Sequence, residues 1–160
     1  MAQIDLKNAT IKLKDKDATH TLEVKIGEGN LSYTEKVSRI YTKDRGNLND
    51  VRNGDQEPVE VSMDFIWEFL KASSGDTPTV EDVLKQRGQA AGWVSTDDDA
   101  CRPYALDLEI LYTPVCGGAQ KERIVLEDFR YESLAHDLRN ASVAVSGKCN
   151  VTQATITRES

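Results

Sequence analysis

The segment that decides the fold class is residues 59–68, which read VEVSMDFIWE. Its apolar side chains recur at every second position, namely at Val59, Val61, Met63, Phe65 and Trp67. Successive side chains of a β-strand point to opposite faces, so this spacing predicts a strand with one face in a hydrophobic core. Glu60, Ser62 and Asp64 then form the polar face, where the apolar Ile66 indicates contact with a neighbour. Trp67 is predicted to anchor the core.

The same period of two recurs on both sides of this segment. It predicts an N-terminal hairpin, a third strand from Leu31 to about Tyr41, three strands over residues 104–113, 122–131 and 140–148, and a last edge strand near Ile156. One short helix is predicted between Thr79, an N-cap residue, and Gly88. The fold class is therefore mainly β: one domain of residues 1–160, an antiparallel β-sandwich or barrel with a short flanking α-helix.

A long polar segment, residues 42–58, separates the third strand from the deciding segment. Its composition predicts a loop, and Asn53-Gly54 predicts a turn because both residues tolerate positive φ. Loops of this length are often functional, although a solvated hairpin tip has the same composition.

The overall charge argues against two classes of protein. The chain has 160 residues with 20 basic and 27 acidic side chains, a net charge of −7. Phosphate binding needs a basic face, so a nucleic-acid clamp is disfavoured. The longest stretch without a charged residue spans only residues 110–120, too short for a membrane helix. No secretory signal is visible at the N-terminus. We also expect no membrane partner.

Few residues are available for catalysis or for metal binding. The two histidines are His20 and His136, and no nucleophile, phosphate-loop or zinc-protease motif occurs. An enzyme that pairs His136 with an acidic side chain is the weakest of the functions considered. The three cysteines form no CxxC pair, which disfavours a zinc site. We therefore expect neither catalysis nor a cofactor nor a metal.

Short motifs in this frame resemble a known family. Asn53-Gly54-Asp55, the run from Pro58 to Val61 and the run from Phe65 to Phe69 are similar to the tail tube protein of long-tailed bacteriophages. Further short stretches resemble the same family, namely residues 27–33, 44–46, 128–132 and 146–149. The resemblance therefore spans about residues 20–158.

The resemblance implies a structural virion protein. Tail tube proteins are β-sandwiches that form hexameric rings, share an inner β-barrel between subunits and stack into a hollow tube through which DNA passes during ejection. The implied partners are further copies of the chain, with tail sheath, baseplate and tail terminator proteins, and DNA that is not specifically bound. The implied location is the virion tail, assembled in the host cytoplasm.

Two sets of residues are candidates for roles in such a tube. The charged residues of the 42–58 segment are candidates for the contact between rings: Asp44, Arg45, Asp50, Arg52 and Asp55. The polar face of the deciding strand, with Glu60, Ser62 and Asp64, is a candidate for the lumen, because an acidic channel does not hold DNA. A solvated outer face explains the same residues equally well.

The cysteines leave two alternatives open. In a meander of the last three strands, Cys116 and Cys149 lie at the same end of the sheet and could pair, which leaves Cys101 for a neighbouring subunit. All three are reduced thiols if the protein stays in a reducing cytoplasm.

The main alternative function is a monomeric β-barrel that binds a small ligand. Such a barrel needs an apolar interior pocket closed by the chain itself. The alternating polar faces and the long 42–58 segment argue against it.

Overall fold

The computed structural model describes residues 9–24, 30–66, 78–113 and 121–159. Within these ranges the strands are β1 (Ala9–Lys14), β2 (Thr21–Val24), β3 (Leu31–Thr34), β4 (Val37–Asp44), β5 (Asn47–Gln56), β6 (Val59–Ile66), β7 (Leu106–Tyr112), β8 (Lys121–Asp137), β9 (Ser142–Cys149) and β10 (Thr155–Glu159). The helix α1 spans Val80–Lys85. The predicted mainly antiparallel β-fold with one short helix is confirmed.

An antiparallel sheet holds all the described strands except β4 and β5. Its order is β2-β1-β7-β8-β9-β6-β3, with β10 added beside β8. Strand β8 is 17 residues long. Its first half pairs with β7 and β10, and its second half pairs with β9. The strand therefore passes from one group of strands to the other, and the predicted meander of β7, β8 and β9 is confirmed.

A β-bulge marks the place where β8 changes partners. The pairing between β7 and β8 slips near Asp107, and Asp128 adopts a left-handed conformation with φ of 56°. The backbone N–H of Asp128 donates to Asp107 Oδ1 at 3.2 Å, and Thr96 Oγ1 donates to Asp128 Oδ1 at 2.8 Å. Bulges bend a strand and increase its twist, which lets β8 turn around the core.

The deciding segment forms the core strand that its sequence predicts. Val59, Val61, Met63 and Phe65 are buried, whereas the side chains between them are half-buried or exposed. They pack in one cluster with buried side chains of β1, β7, β8, β9 and α1, including Phe129. Burial of this apolar surface is the main driving force for folding. The expectation for Trp67 lies outside the described residues.

The helix begins as its sequence predicts and ends earlier. Thr79 caps it, since Asp82 N donates to Thr79 Oγ1 at 3.2 Å. Gln86, with φ of 53°, ends the helix two residues before Gly88. Val83 and Leu84 are buried and fix α1 against the core.

The prediction of a loop over residues 42–58 is wrong. Strands β4 and β5 form a separate two-stranded sheet, which we call the arm (residues 37–56). The turn lies at Arg45-Gly46, with φ of 54° and 83°, and not at Asn53-Gly54. Gly54 lies inside β5, where an added Cβ would be 2.3 Å from Ser38 Oγ, so glycine permits a close approach at the bulge there. The predicted third strand is likewise divided into β3 and β4 by Glu35-Lys36.

Candidate assembly surfaces

The arm exposes both of its faces to solvent. On one face, cross-strand pairing places Tyr41 opposite Val51 and Lys43 opposite Leu48. Arg39 lies on the same face and donates a hydrogen bond to Asn53 Oδ1 at 2.7 Å. We call this the apolar arm face, because Tyr41, Val51 and Leu48 are 60%, 52% and 73% exposed. An isolated two-stranded hairpin is at best marginally stable in water, so these side chains point to a partner surface.

The predicted contact residues are all exposed along the arm. Asp44, Asp50 and Arg52 lie on the second face. Their cross-strand partners on that face are Asn47, Thr42 and Ile40, respectively. Arg45 occupies the turn, and Asp55 lies near the bulge at the base of the arm. The structure therefore spreads these charges over the length of a two-stranded ladder, and their role in contacts between rings stays a prediction.

Backbone and side-chain contacts hold the base of the arm to the body. Glu35 Oε1 accepts a hydrogen bond from Ala154 N at 3.1 Å, and Lys36 Nζ lies 3.0 Å from Glu60 Oε2. Where the arm rejoins the sheet, Val59 N donates to Val151 O at 3.0 Å. The two segments that join the arm to β3 and β6 are thus both held to the body.

The polar face of β6 continues across its neighbours as a band of small side chains. Cross-strand pairing aligns Ser32, Ser62, Ser146 and Ser133 in one row over β3, β6, β9 and β8. Ser62 and Asp64 are exposed, whereas Glu60 is half-buried. A shallow depression of about 300 Å³ lies on this face. Strand β6 has the predicted polar face, and its position in a lumen stays a prediction.

One glycine of β9, on the core side of the sheet, is required by packing. A Cβ at Gly147 would lie 2.2 Å from the carbonyl oxygen of Arg130 and 2.8 Å from the ring of Phe129. Strands β8 and β9 cross closely here, beside the irregular pairing between Tyr131 and Ser133. A side chain at this position would push β9 away from the core.

Surface depressions also flank the base of the arm. One of about 370 Å³ is bordered by Pro58, Pro103, Tyr131, Glu132 and Asn150, among others. A second, of about 520 Å³, lies between residues 56–58 and residues 150–153. Pro58 and Asn150 border both, so the two form a continuous groove beside the place where the arm leaves the body.

The histidines lie in structural contacts. His136 Nε2 is 3.3 Å from Glu81 Oε2, and Glu81 also contacts Lys85 and Arg87, which ties α1 to β8. Hydrogen bonds from Lys85 and His136 hold the pKa of Glu81 below its usual value despite partial burial. His20 donates to the buried Asp15 and stacks on Trp93 at 5.6 Å.

The acidic triplet 97–99 is contacted by basic side chains, among them Lys16 against Asp98, and by backbone N–H groups. Asp97 accepts from Arg130 Nη2 at 2.7 Å, and Asp99 Oδ1 accepts from Cys101 N at 2.9 Å. Hydrogen bonds from Asp99 N and Arg130 lower the pKa of Asp97. Within the described ranges no three histidine, cysteine, aspartate or glutamate side chains converge to hold a metal ion.

One carboxyl group at the β8 bulge, that of Asp107, has a raised pKa. Burial raises the pKa of Asp107 to about 6, and the nearby charges of Asp128 and Glu127 act in the same direction. The N–H of Asp128 opposes this effect. Burial also raises the pKa of the Cys149 thiol to about 12, with smaller contributions from Asp107 and Asp128.

Two cysteines lie in the described part of the chain. Cys149 is the last residue of β9 and a free, fully buried thiol in the core, and Cys101 is free and exposed. Cys116 lies outside the described residues, so the Cys116–Cys149 pair and the intersubunit role of Cys101 stay predictions.

Sequence reasoning missed the apolar arm face. Tyr41, Leu48 and Val51 lie among charged and amide side chains, and the bulge between Thr42 and Lys43 breaks their period of two. The sequence signal for a ladder was the glycine at position 46 with polar residues on both sides of it. In the structure these residues pair as Asp44 with Asn47 and Thr42 with Asp50.

Comparison with solved structures shows the fold this chain shares. It superposes with a TM-score of 0.56 and 10% identity on a chain of the PVC sheath/tube terminator of an extracellular contractile injection system in its extended state. That match covers 100% of this chain and 99% of the other. The resemblance suggested by the sequence is thus supported at the level of the fold.

More distant matches cover almost the whole chain. One is a chain of the anti-feeding prophage baseplate, with a TM-score of 0.48 and 8% identity, which covers 99% of this chain and 97% of that one. Another is the Hcp1 protein of E. coli EAEC 042, with a TM-score of 0.35 and 11% identity, which covers 96% of this chain and 97% of that one. No family model matches the sequence, and no curated protein matches it. No helix in the described ranges is long and apolar enough to cross a membrane.

Proposed function

We propose that this chain is a structural, non-catalytic subunit of a tube of the phage-tail or contractile-injection type, built from stacked rings of identical subunits. The observation that carries the proposal is the arm: a ten-residue and an eight-residue strand that leave the body and expose Tyr41, Leu48 and Val51. A monomer gains nothing from this exposure, whereas a neighbouring subunit would bury it.

The body of the protein supports the same function. Among the residues that the structure describes, the sheet ends at β2 and β3, and closing a ring would pair these edges with neighbouring subunits. The likeness in fold to a chain of a sheath/tube terminator makes tube, sheath, baseplate and terminator proteins the natural class of partners. A tail or particle component assembled in a host cytoplasm follows from the same proposal.

In this arrangement the polar band of β3, β6, β9 and β8 is proposed to line the lumen. Its carboxylates are partly balanced, since Glu60 contacts Lys36 at 3.0 Å and Glu132 lies 3.8 Å from Lys148. A hydroxyl-rich surface without excess positive charge would let DNA pass without being held. The arms would then contact the next ring through Asp44, Arg45, Asp50, Arg52 and Asp55.

The alternative, a monomeric barrel that binds a small ligand, needs an open apolar interior. The space between the strands is instead occupied by packed side chains such as Leu13, Met63, Leu126 and Phe129. The depressions described above lie on the surface and have polar side chains in their lining.

Electron microscopy and light scattering at rising protein concentration test the proposal. We expect rings or tubes from the wild-type chain. The matched variant replaces residues 42–50 with Asn-Gly, which joins the cross-strand partners Tyr41 and Val51 through a two-residue turn. It should keep the β-rich circular dichroism of the body but lose stacking. A strictly monomeric, folded wild-type protein would refute the tube, and normal tubes from the variant would refute the role of the arm.

A further inference from the structure

The dipeptide Asn53-Gly54 is the one place in the sequence where glycine follows asparagine. The structure places it within strand β5, and Asn53 is exposed to solvent. Glycine has no Cβ, so it hinders least the approach of its own backbone nitrogen to the side-chain amide of the preceding asparagine. The dipeptide is therefore a candidate site of covalent modification.

The ladder of the arm is interrupted at this dipeptide. Its register shifts between Val37 and Arg39. There Ser38 of β4 faces two residues of β5, Gly54 and Asp55. A bulge leaves one residue out of the regular ladder, and a separate two-stranded sheet opens locally at low cost in free energy. The dipeptide can therefore change its backbone angles without disturbing the hydrophobic core.

A positive charge contacts the amide of Asn53. Arg39 Nη1 donates a hydrogen bond to Asn53 Oδ1 at 2.7 Å. Attack of a nucleophile on the amide carbon moves negative charge onto this oxygen, and a cationic donor that already contacts the oxygen stabilises that charge as it develops. Arg39 is exposed, so screening by water and salt keeps the stabilisation modest.

We propose that Asn53 is a site of spontaneous deamidation, in which the backbone nitrogen of Gly54 is the nucleophile and Arg39 stabilises the developing charge. The nitrogen of Gly54 loses its proton to a solvent base and bonds to Asn53 Cγ. The bond from Cγ to Nδ2 breaks, and Nδ2 leaves as ammonia with a proton from solvent. Because both reacting groups belong to adjacent residues, the reaction is intramolecular.

Water then opens the cyclic succinimide that this step forms. Cleavage of the ring bond at Cγ gives aspartate, and cleavage at the backbone carbonyl gives isoaspartate. The net reaction consumes one water and releases one ammonia. It takes place within one chain, so the inference goes beyond the proposed function and does not depend on it.

The products change the charge and the backbone of the arm. The arm has four basic and three acidic side chains, so a new carboxylate at position 53 lowers its net charge from +1 to zero. An aspartate there would lie opposite Arg39 and form an ion pair with it. An isoaspartate adds one atom to the backbone and would displace Gly54 from its close approach to Ser38.

Incubation of the dilute full-length chain in mildly alkaline buffer, followed by peptide mapping with mass spectrometry, tests the site. Asn47 and Asn49 are internal controls, because both are exposed in the same strand but precede leucine and aspartate. We expect position 53 to gain a carboxylate about ten times faster than either control, or more. A protease that cleaves before aspartate and not before isoaspartate measures the two products separately.

Two results would overturn the site. One is an equal rate at the three asparagines of β5. The other is an Asn53 that stays intact in the folded chain while it converts in the same chain unfolded in urea, because the ladder would then protect it.

The variant Arg39→Gln tests the guanidinium separately. We expect the folded variant to deamidate at position 53 about threefold more slowly than the wild type, or more, and Arg39→Lys to recover part of the rate. In urea the wild type and both variants should react at the same rate, because Arg39 is no longer held against Asn53. Equal rates in the folded chains, or a difference that persists in urea, would overturn the role of Arg39.

Discussion

Replacing Asp107 with asparagine should stabilise the protein at neutral pH and have little effect in mild acid. Asp107 is half-buried at the β8 bulge, where burial together with the charges of Asp128 and Glu127 raises its pKa from 3.8 to about 6. The native state therefore binds this proton more tightly than the unfolded chain. The free energy of unfolding falls as the pH rises between these two values, and the full cost is present above about pH 6.

The size of the effect follows from this difference in pKa. One pKa unit corresponds to about 1.4 kcal/mol, so a rise of roughly two units corresponds to about 3 kcal/mol. Asp107 is not fully removed from water, so screening lowers the expected gain to about 1–3 kcal/mol. The asparagine side chain of the Asp107→Asn variant would keep the oxygen that accepts the N–H of Asp128 at 3.2 Å, so the substitution removes the charge and retains the hydrogen bond.

Urea denaturation of the wild-type chain and the Asp107→Asn variant at several pH values between about 4 and 8 measures this gain. The matched control is Asp64→Asn on the exposed polar face of β6, where a neutralised charge should change stability little at any pH. A difference for Asp107→Asn that does not grow with pH, or that matches the control, would show that Asp107 ionises normally and that the bulge carboxyls are well solvated.

Three further predictions concern packing, capping and the arm. Gly147→Ala should lower the free energy of unfolding by about 1–3 kcal/mol or more, because the added Cβ would meet the carbonyl oxygen of Arg130. The control Ser146→Ala should be nearly neutral, and equal urea midpoints for the two variants would contradict the close approach. Thr79→Ala should cost about 1 kcal/mol through loss of the helix cap and Thr79→Ser much less, as thermal unfolding would show; an equal loss in both would exclude capping. Neutralising Asp50 alone should change assembly only mildly, since an exposed ion pair is worth about 0–1 kcal/mol; complete loss of tubes in light scattering would show a buried contact instead.

The sequence by itself determined the elements whose side chains face the core. Strand β6 was predictable because burial of one face imposes a strict period of two on Val59, Val61, Met63 and Phe65. The cap at Thr79 and the order of β7, β8 and β9 were predictable for similar reasons, since capping and short connections are local.

The tertiary structure decided the arm, the bulge and the groove. Neither face of the arm is buried in the subunit, so no hydrophobic alternation marked β5, and Asn53-Gly54 looked like a turn although Gly54 serves a close approach to Ser38. Asp107 and Asp128 are 21 residues apart, and Pro58 and Pro103 are brought together only by the packed sheet. Periodicity reports which side of an element meets the core; it carries no information about which distant segments become neighbours, because that depends on how the elements pack.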